Sequence, residues 1–369
     1  MKITKLYVKY HDKLVGTLAL TSNNLVAFQY SKEWLLKGFA INPFSLPLRE
    51  DVFVPTKNTF GGLFGVFADS LPDNWGNLIL DRMLKKHRDN DNINPLKRLA
   101  IVGSIGMGAL TYEPSVDFKL TTSYLNLDEI NIQCSKILQH EEVDNIDELF
   151  KLGGSSGGAR PKILANIDGI NWLIKFSNTV DGKNAGIIEY EYFACARKCG
   201  INVPQTRLFN SKMTPGYFGI ERFDIIDNKR IHMVTVAGLL ELDYRSPALD
   251  YSELIKLTKI LATEDDVYEM FKRMCFNVFA HNQDDHAKNF SFIYDEQNMR
   301  WRLSPAYDLT YSNTYYGEHT TSVNGKGINI DEIDLLEVGL INKLQKNKCL
   351  KIISDVKECV NEMLGKYIK

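Results

Sequence analysis

The chain lacks the features that mark several large protein classes. No run approaches the roughly 18 consecutive apolar residues of a membrane helix. The opening Met1-Lys-Ile-Thr-Lys-Leu-Tyr-Val-Lys-Tyr10 alternates polar and apolar like a strand and has no continuous apolar core of the signal-peptide kind. The six cysteines, Cys134, Cys195, Cys199, Cys275, Cys349 and Cys359, contain no C-x-x-C pair, and Cys195 and Cys199 share a helical face without a nearby histidine pair. They read as buried free thiols of a reducing compartment, so a cytoplasmic location without membrane contact is expected. Forty-four Lys and Arg stand against 46 Asp and Glu, for a net charge of -2. That balance excludes bulk attraction to nucleic acid through counterion release, leaving only local or partner-mediated contact with DNA. There is no internal repeat, no low-complexity tract, no long charge run and no G-x-x-x-x-G-K-[ST] phosphate loop.

What is present is an ordinary globular composition, 44% hydrophobic and 24% charged, spread over 369 residues. That length exceeds what one core usually serves, so more than one domain or subdomain is expected. Leu6–Tyr10, Val15–Leu20 and Leu25–Tyr30, separated by polar turns, predict a β-meander. Ser70-Leu-Pro-Asp73 reads as a helix cap with proline in the first turn, followed by the helical spacing Trp75, Leu78, Ile79, Met83. Ile163 to Phe176 predicts two strands about Asp168-Gly169, and Glu189 to Cys199 a helix ended by Gly200. Strand spacing resumes at Leu208 and at Tyr217–Phe223. From about 251 the pattern turns to helices over 251–261, 267–280, 333–344 and 350–367, interrupted by a hairpin of 290–294 and 299–303. The expected fold is a kinase-like α/β (α+β) architecture, with a β-rich front and a mostly helical back. Its segments are 1–115, a β-rich subdomain with a helix; 116–240, an α/β part with a Gly/Ser-rich loop; and 241–369, mostly helical.

The chemistry concentrates in Asn282-Gln-Asp-Asp-His-Ala-Lys-Asn289 and in Leu303-Ser-Pro-Ala-Tyr-Asp-Leu309. Asp284 and Asn289 lie five apart, the offset of the base aspartate and metal-binding asparagine in H-R-D-x-x-x-x-N, and Asp308 falls where a second metal-binding aspartate is expected. Phosphoryl transfer requires charge neutralisation more than covalent help, and Mg2+ takes few protein oxygens. Asn289 and Asp308 make a sensible pair of ligands, with Asp284 orienting or deprotonating the acceptor hydroxyl. The hairpin should bring Asn289 and Asp308 together. His286 suits a loop-holding hydrogen bond better than metal ligation, and the role of Lys288 is less defined. The competing reading, a polar turn of Asp284, Asp285 and His286 with Asp308 as a cap, fits each residue singly but not their joint order.

A nucleotide cradle is sought in Gly153-Gly-Ser-Ser-Gly-Gly-Ala-Arg-Pro-Lys162, where glycines let backbone N–H groups approach phosphate and Arg160 and Lys162 add charge. A flexible linker would look similar. Thirteen residues on, Lys175 stands in the apolar strand Trp172–Phe176, as a phosphate-binding lysine does. Glu189 or Glu191 on the following helix is its candidate partner, and Gly219-Ile-Glu-Arg-Phe-Asp224 is a strand end that suits an adenine hinge with the ring of Phe223.

These motifs, together with Phe67-Ala-Asp-Ser-Leu-Pro-Asp-Asn-Trp-Gly76 and Val102-Gly-Ser-Ile-Gly-Met-Gly-Ala-Leu110, resemble the HipA-type serine/threonine kinases, toxins of bacterial type II toxin-antitoxin systems. The resemblance spans nearly the whole chain. It implies an ATP- and Mg2+-dependent kinase with its nucleotide between an α/β front and a helical back. Asp284 would be the catalytic base, Asn289 and Asp308 the metal ligands, and Lys175 the phosphate lysine. Glu221 and Phe223 would meet adenine, and Ser155, Ser156, Gly157, Gly158, Ala159, Lys162, His286 and Lys288 would complete the nucleotide surroundings. Ser155 matches the family's autophosphorylated serine, with Ser156 beside it leaving the choice open, and a phosphate there would oppose ATP phosphates. The implied partners are a DNA-binding helix-turn-helix antitoxin (HipB-like) and a protein substrate, aminoacyl-tRNA synthetases being known targets of the family. Contact with DNA is expected only through the antitoxin, since the chain shows no such motif. Two other readings share parts of the pattern: a small-molecule phosphotransferase of the antibiotic-modifying kind, and a kinase-like corepressor or scaffold without catalysis.

Overall fold

The structure, a computed structural model, describes residues 3–87, 93–116, 126–143, 145–153, 157–178, 182–246, 249–314 and 316–368. It divides into two compact units, the first of Met1–Gly186 and Phe209–Asp243, the second of Ile187–Leu208 and Tyr244–Lys369. Residues 1–115 and most of 116–240 thus share unit 1, while 187–208 belongs with the helical remainder.

Unit 1 begins with the meander. Lys5–Tyr10, Lys13–Leu20 and Val26–Tyr30 pair antiparallel, and Leu110–Glu113 and Val52–Phe53 close the two edges. In the first strand Leu6, Val8 and Tyr10 are buried and alternate with more exposed residues, the period that one covered sheet face requires. A further antiparallel run is formed by Lys162–Ile167, Ile170–Lys175 and Tyr217–Glu221. The Asp168-Gly169 turn holds both residues at positive φ, +56° and +81°, which suits the twist of a two-residue hairpin and explains an Asp-Gly pair there. Against this sheet pack Trp75, Ile79 and Met83 of the helix Asn74–Lys86 and Leu149 and Phe150 of Ile146–Gly153.

The start of Asn74–Lys86 differs from expectation. Asp73 is the N-cap residue and its side chain does not cap the helix; the Ser70 hydroxyl instead pairs with Tyr112 Oη at 2.7 Å. A buried tertiary partner outcompeted the local capping pattern.

Unit 2 is mostly helical: Tyr251–Leu261, Glu264–Phe279, Glu332–Ile341 and Lys346–Leu364, with the greater part of Ala185–Lys198. Asp250 with Glu253, Thr263 with Asp266, and Asp331 with Asp334 form reciprocal capping boxes that fix three of these starts. The hairpin Ser291–Asp295 and Arg300–Leu303 lies where its sequence placed it, and Leu249–Asp250 pairs in parallel with Thr321–Ser322. No helix among the described residues is long and apolar enough to cross a membrane.

Candidate active site

The helix Glu264–Phe279 buries Met270, Phe271, Met274 and Phe276, and is stopped by His281 at φ +52°. The chain then enters a loop whose first residue, Asn282, is buried. Asn282 Nδ2 donates to Asn277 Oδ1 at 3.0 Å, and Asn282 Oδ1 accepts from Ser312 Oγ at 3.0 Å. Ser312 Oγ also accepts the Asp284 N–H at 3.0 Å, and Ser312 forms a parallel bridge with Asn282. The 282–289 stretch is therefore tied, through the side chain and backbone of Ser312, to the segment that follows 303–309. Tyr307 Oη adds a bond to the Lys288 carbonyl at 2.7 Å.

Asp284 is exposed, with its backbone held while its carboxylate stands at the surface. Asn289 closes a single 3-10 turn, Ala287–Asn289, and its Nδ2 donates to the Asp284 carbonyl at 2.7 Å. With the nitrogen turned inward, Oδ1 is the atom the amide offers to a cation. His286 accepts the Lys288 N–H on Nδ1 at 3.3 Å, the loop-holding role its sequence suggested. The His286 ring lies 5.2 Å from that of Tyr244, and Lys288 Nζ stands 4.7 Å over the same ring. Asp308 is half-buried at φ +57°, a left-handed conformation that Asp tolerates better than most residues. An amide oxygen and a carboxylate on two tethered loops are hard donors of the type Mg2+ takes, so the donor set fits that ion.

Beneath this surface lies a buried polar cluster that sequence reasoning treated only as a turn. Asp285 is fully buried. It accepts from Tyr251 Oη at 2.8 Å, from the Thr321 N–H at 3.0 Å, and pairs with His319 Nδ1 at 3.0 Å. Asn277 Nδ2 donates to Tyr251 Oη at 2.8 Å, which links the cluster back to Asn282. Burial, and next the Asp285 charge, push the Tyr251 phenol well above its usual range, so it stays a neutral donor. No local spacing marks Asp285 as different from Asp284; partners 34 and 36 residues away do.

In unit 1, Lys162 and Lys175 face each other across adjacent strands, and both are buried, at 5% and 9% exposure. Lys162 Nζ donates to the Gly157 carbonyl, and Lys175 Nζ lies 5.9 Å from the Phe218 ring centre. Gly158, at φ +91°, donates its N–H to Asp73 Oδ2 at 3.0 Å, so a carboxylate of the chain itself occupies one amide of the glycine loop. Ser155 and Ser156 lie outside the described residues, while Gly157, Ala159 and Arg160 fall in the loop that enters the Lys162 strand. Glu221 ends its strand opposite Trp172. Arg222 then grips Asp224 with two bonds, at 3.0 and 2.7 Å, and Phe223 lies between those two residues. Asp224, fully buried, also accepts the Gly108 N–H at 2.8 Å, which ties the 102–110 motif to the proposed hinge. Asp69 of the 67–76 motif accepts the Thr235 N–H and hydroxyl at 2.7 and 2.9 Å. Of the two helix glutamates, Glu191 is engaged by Lys366 at 2.6 Å and by Tyr367 Oη at 2.8 Å, and Glu189 is the buried one.

Comparison with known proteins divides the chain differently, at about residues 113–154. The HipA N-terminal domain family matches residues 6–113, and the HipA-like C-terminal domain family matches 154–364, more than half of the chain. The protein belongs to the HipA family. A protein of Sinorhizobium fredii named "Putative kinase Y4dM" is 24% identical over 364 residues, covering 88% of this chain and 81% of that relative. Among solved structures, HipA of Shewanella oneidensis MR-1, from a complex of HipA, HipB and operator DNA, superposes with a TM-score of 0.73. It covers 98% of this chain and 90% of its own at 16% identity, a likeness of fold.

Proposed function

We propose that this chain is an ATP- and Mg2+-dependent serine/threonine protein kinase of the HipA toxin type. The observation that carries the reading is the loop pair of unit 2, where the exposed Asp284 and the inward-turned amide of Asn289 are locked together and tethered to the segment around Asp308 through Tyr307 and Ser312. In this reading Asp284 orients the acceptor hydroxyl and accepts its proton. Asn289 Oδ1 and Asp308 hold the magnesium, which when bound neutralises charge on the phosphates. Lys175 contributes positive charge to the phosphates, Lys162 steadies the Gly157 carbonyl of the loop, and Glu221 and Phe223 receive the adenine. His286 and Lys288 shape the catalytic loop.

Phosphorylation of Ser155 places negative charge where ATP phosphates are needed and switches the enzyme off. A DNA-binding helix-turn-helix antitoxin is the neutralising partner, supported by the family and by the HipB-bound relative of the same fold. The substrate is a cellular protein whose phosphorylation arrests growth, with an aminoacyl-tRNA synthetase as the first candidate.

The test is incubation of the full chain with ATP and Mg2+, followed by intact-mass analysis and a screen of bacterial lysate for new phosphoproteins. Gain of one phosphate, absent in Asp284→Asn and in Ser155→Ala but present in Ser156→Ala, is expected. If neither the chain nor any lysate protein gains phosphate, and Asp284→Asn matches wild type, the kinase reading fails.

A further inference from the structure

Three of the six cysteines meet in unit 2, far from the loop pair in sequence. Cys195 lies near the end of the helix Ala185–Lys198, Cys199 follows one turn later, and Cys359 comes from the helix Lys346–Leu364. The Cys199 N–H donates to the Cys195 carbonyl at 2.8 Å, so helical continuation sets both thiols on one side. Cys195 Sγ and Cys359 Sγ are 4.0 Å apart, and all three sulfurs lie within 4.8 Å of one another. A tetrahedral ion with Zn–S of about 2.3 Å needs sulfurs about 3.8 Å apart. The trio therefore has nearly the spacing of a thiolate cage before any ion enters.

We infer that Cys195, Cys199 and Cys359 form a binding site for a thiophilic divalent d10 cation, of which zinc is the biological example and cadmium the spectroscopic one. Softness selects such ions for sulfur over the oxygen-seeking Mg2+. Charge selects the divalent class: three thiolates and a divalent ion carry a net charge of one minus, whereas a monovalent ion would leave two in a largely buried place. Lys272, whose Nζ donates to the Gly200 carbonyl at 2.6 Å next to Cys199 and also pairs with Glu269 at 3.6 Å, puts positive charge near the site. Cys195 and Cys359 are buried and Cys199 is half-buried, so the site opens to solvent on the Cys199 side, from which water would supply a fourth ligand. The Lys198–Glu362 pair, at 2.7 Å, bridges the same two helices beside the site.

Binding is a proton exchange: three S–H bonds break, three metal–sulfur bonds form, and three protons leave to solvent with no change of oxidation state. The hydrogen bond with Cys195 and burial push the Cys199 thiol up while Lys272 pulls it down, and burial pushes Cys359 up to about 11, so these two stay thiols at neutral pH. Affinity should accordingly rise with pH.

The experiment titrates Cd2+ into the reduced, metal-free full chain under anaerobic conditions, following the ultraviolet thiolate-to-cadmium band and the protons released. One ion per chain and three protons per ion are expected. Cys199→Ser and Cys359→Ser should each weaken binding at least tenfold, while Cys134→Ser and Cys349→Ser should match wild type. Zn2+ should displace the band competitively and raise the melting temperature of wild type but not of Cys199→Ser. The half-buried Cys199 position keeps the test decisive if Cys359→Ser fails to fold. Absence of the band in wild type, or its persistence in Cys199→Ser, would overturn the inference.

Discussion

The two units carry their candidate residues in opposite ways. In unit 2 the candidate carboxylate, Asp284, is exposed on a loop, and the buried groups beneath it, Asp285, Tyr251, His319 and Asn277, do the holding. In unit 1 the charged candidates Lys162 and Lys175 are themselves buried, opposed on neighbouring strands. Separating reactive from structural groups lets the first be changed without disturbing the second. Where one buried group has both duties, activity and stability cannot be varied apart.

The largest expected effect tests that separation directly. Asp284→Asn should lower phosphate transfer by roughly 10²- to 10⁴-fold, the range of a lost general base. Its unfolding free energy should stay within about 0.5 kcal/mol of wild type, as for an exposed position. Single-turnover kinetics alongside urea unfolding read both, and a variant that is inactive because it is unfolded would break the comparison.

The converse substitution is Asp285→Ala. It strands the Tyr251 hydroxyl, the Thr321 N–H and the partner nitrogen of His319 in a buried place, at a cost of about 3 kcal/mol. Thermal unfolding should show a clear loss of melting temperature. A variant of unchanged stability would show that the cluster is not the support of the loop pair.

Asp308→Asn keeps a residue that accepts positive φ and removes one charge. The Mg2+ concentration for half-maximal rate should rise on the order of tenfold, the equivalent of about 1.4 kcal/mol, with little change in unfolding. An unchanged Mg2+ dependence would remove Asp308 from the ligand set.

The last contrast lies in unit 1 and depends on pH. Glu241 accepts the Gly65 N–H with both carboxylate oxygens, at 3.1 and 2.9 Å, yet burial outweighs these bonds and pushes its pKa up from 4.5 to about 7. A raised folded-state pKa means that the protonated form is favoured on folding. The contribution is complete below about 4.5 and is lost as pH rises through about 7. Glu241→Gln should flatten that part of the stability profile in calorimetric scans across the window, and an identical slope in both proteins would count against it.

Much of the fold was legible because its signals are local. Alternation over Leu6 to Tyr30 gave the meander, Asp168-Gly169 gave a hairpin turn, and Tyr251–Leu261 matched its predicted span to the residue. Ser70 was misread because a capping motif is also a plain serine, and Tyr112, 42 residues on, claimed its hydroxyl. The choice between Glu189 and Glu191 was open for the same reason: helical periodicity shows that two residues point differently, while Lys366 and Tyr367 show where one of them goes.

The sequence by itself determined the order and spacing of Asp284, Asn289 and Asp308, the hairpin that separates the last two, and the family to which the chain belongs. Only the tertiary structure decided that Asp285 is a buried support while its neighbour Asp284 stands at the surface, and that Cys359 completes a trio with Cys195 and Cys199. The physical reason is range. Backbone periodicity orients side chains a few residues apart, but burial and ligand geometry depend on which distant segments arrive beside them.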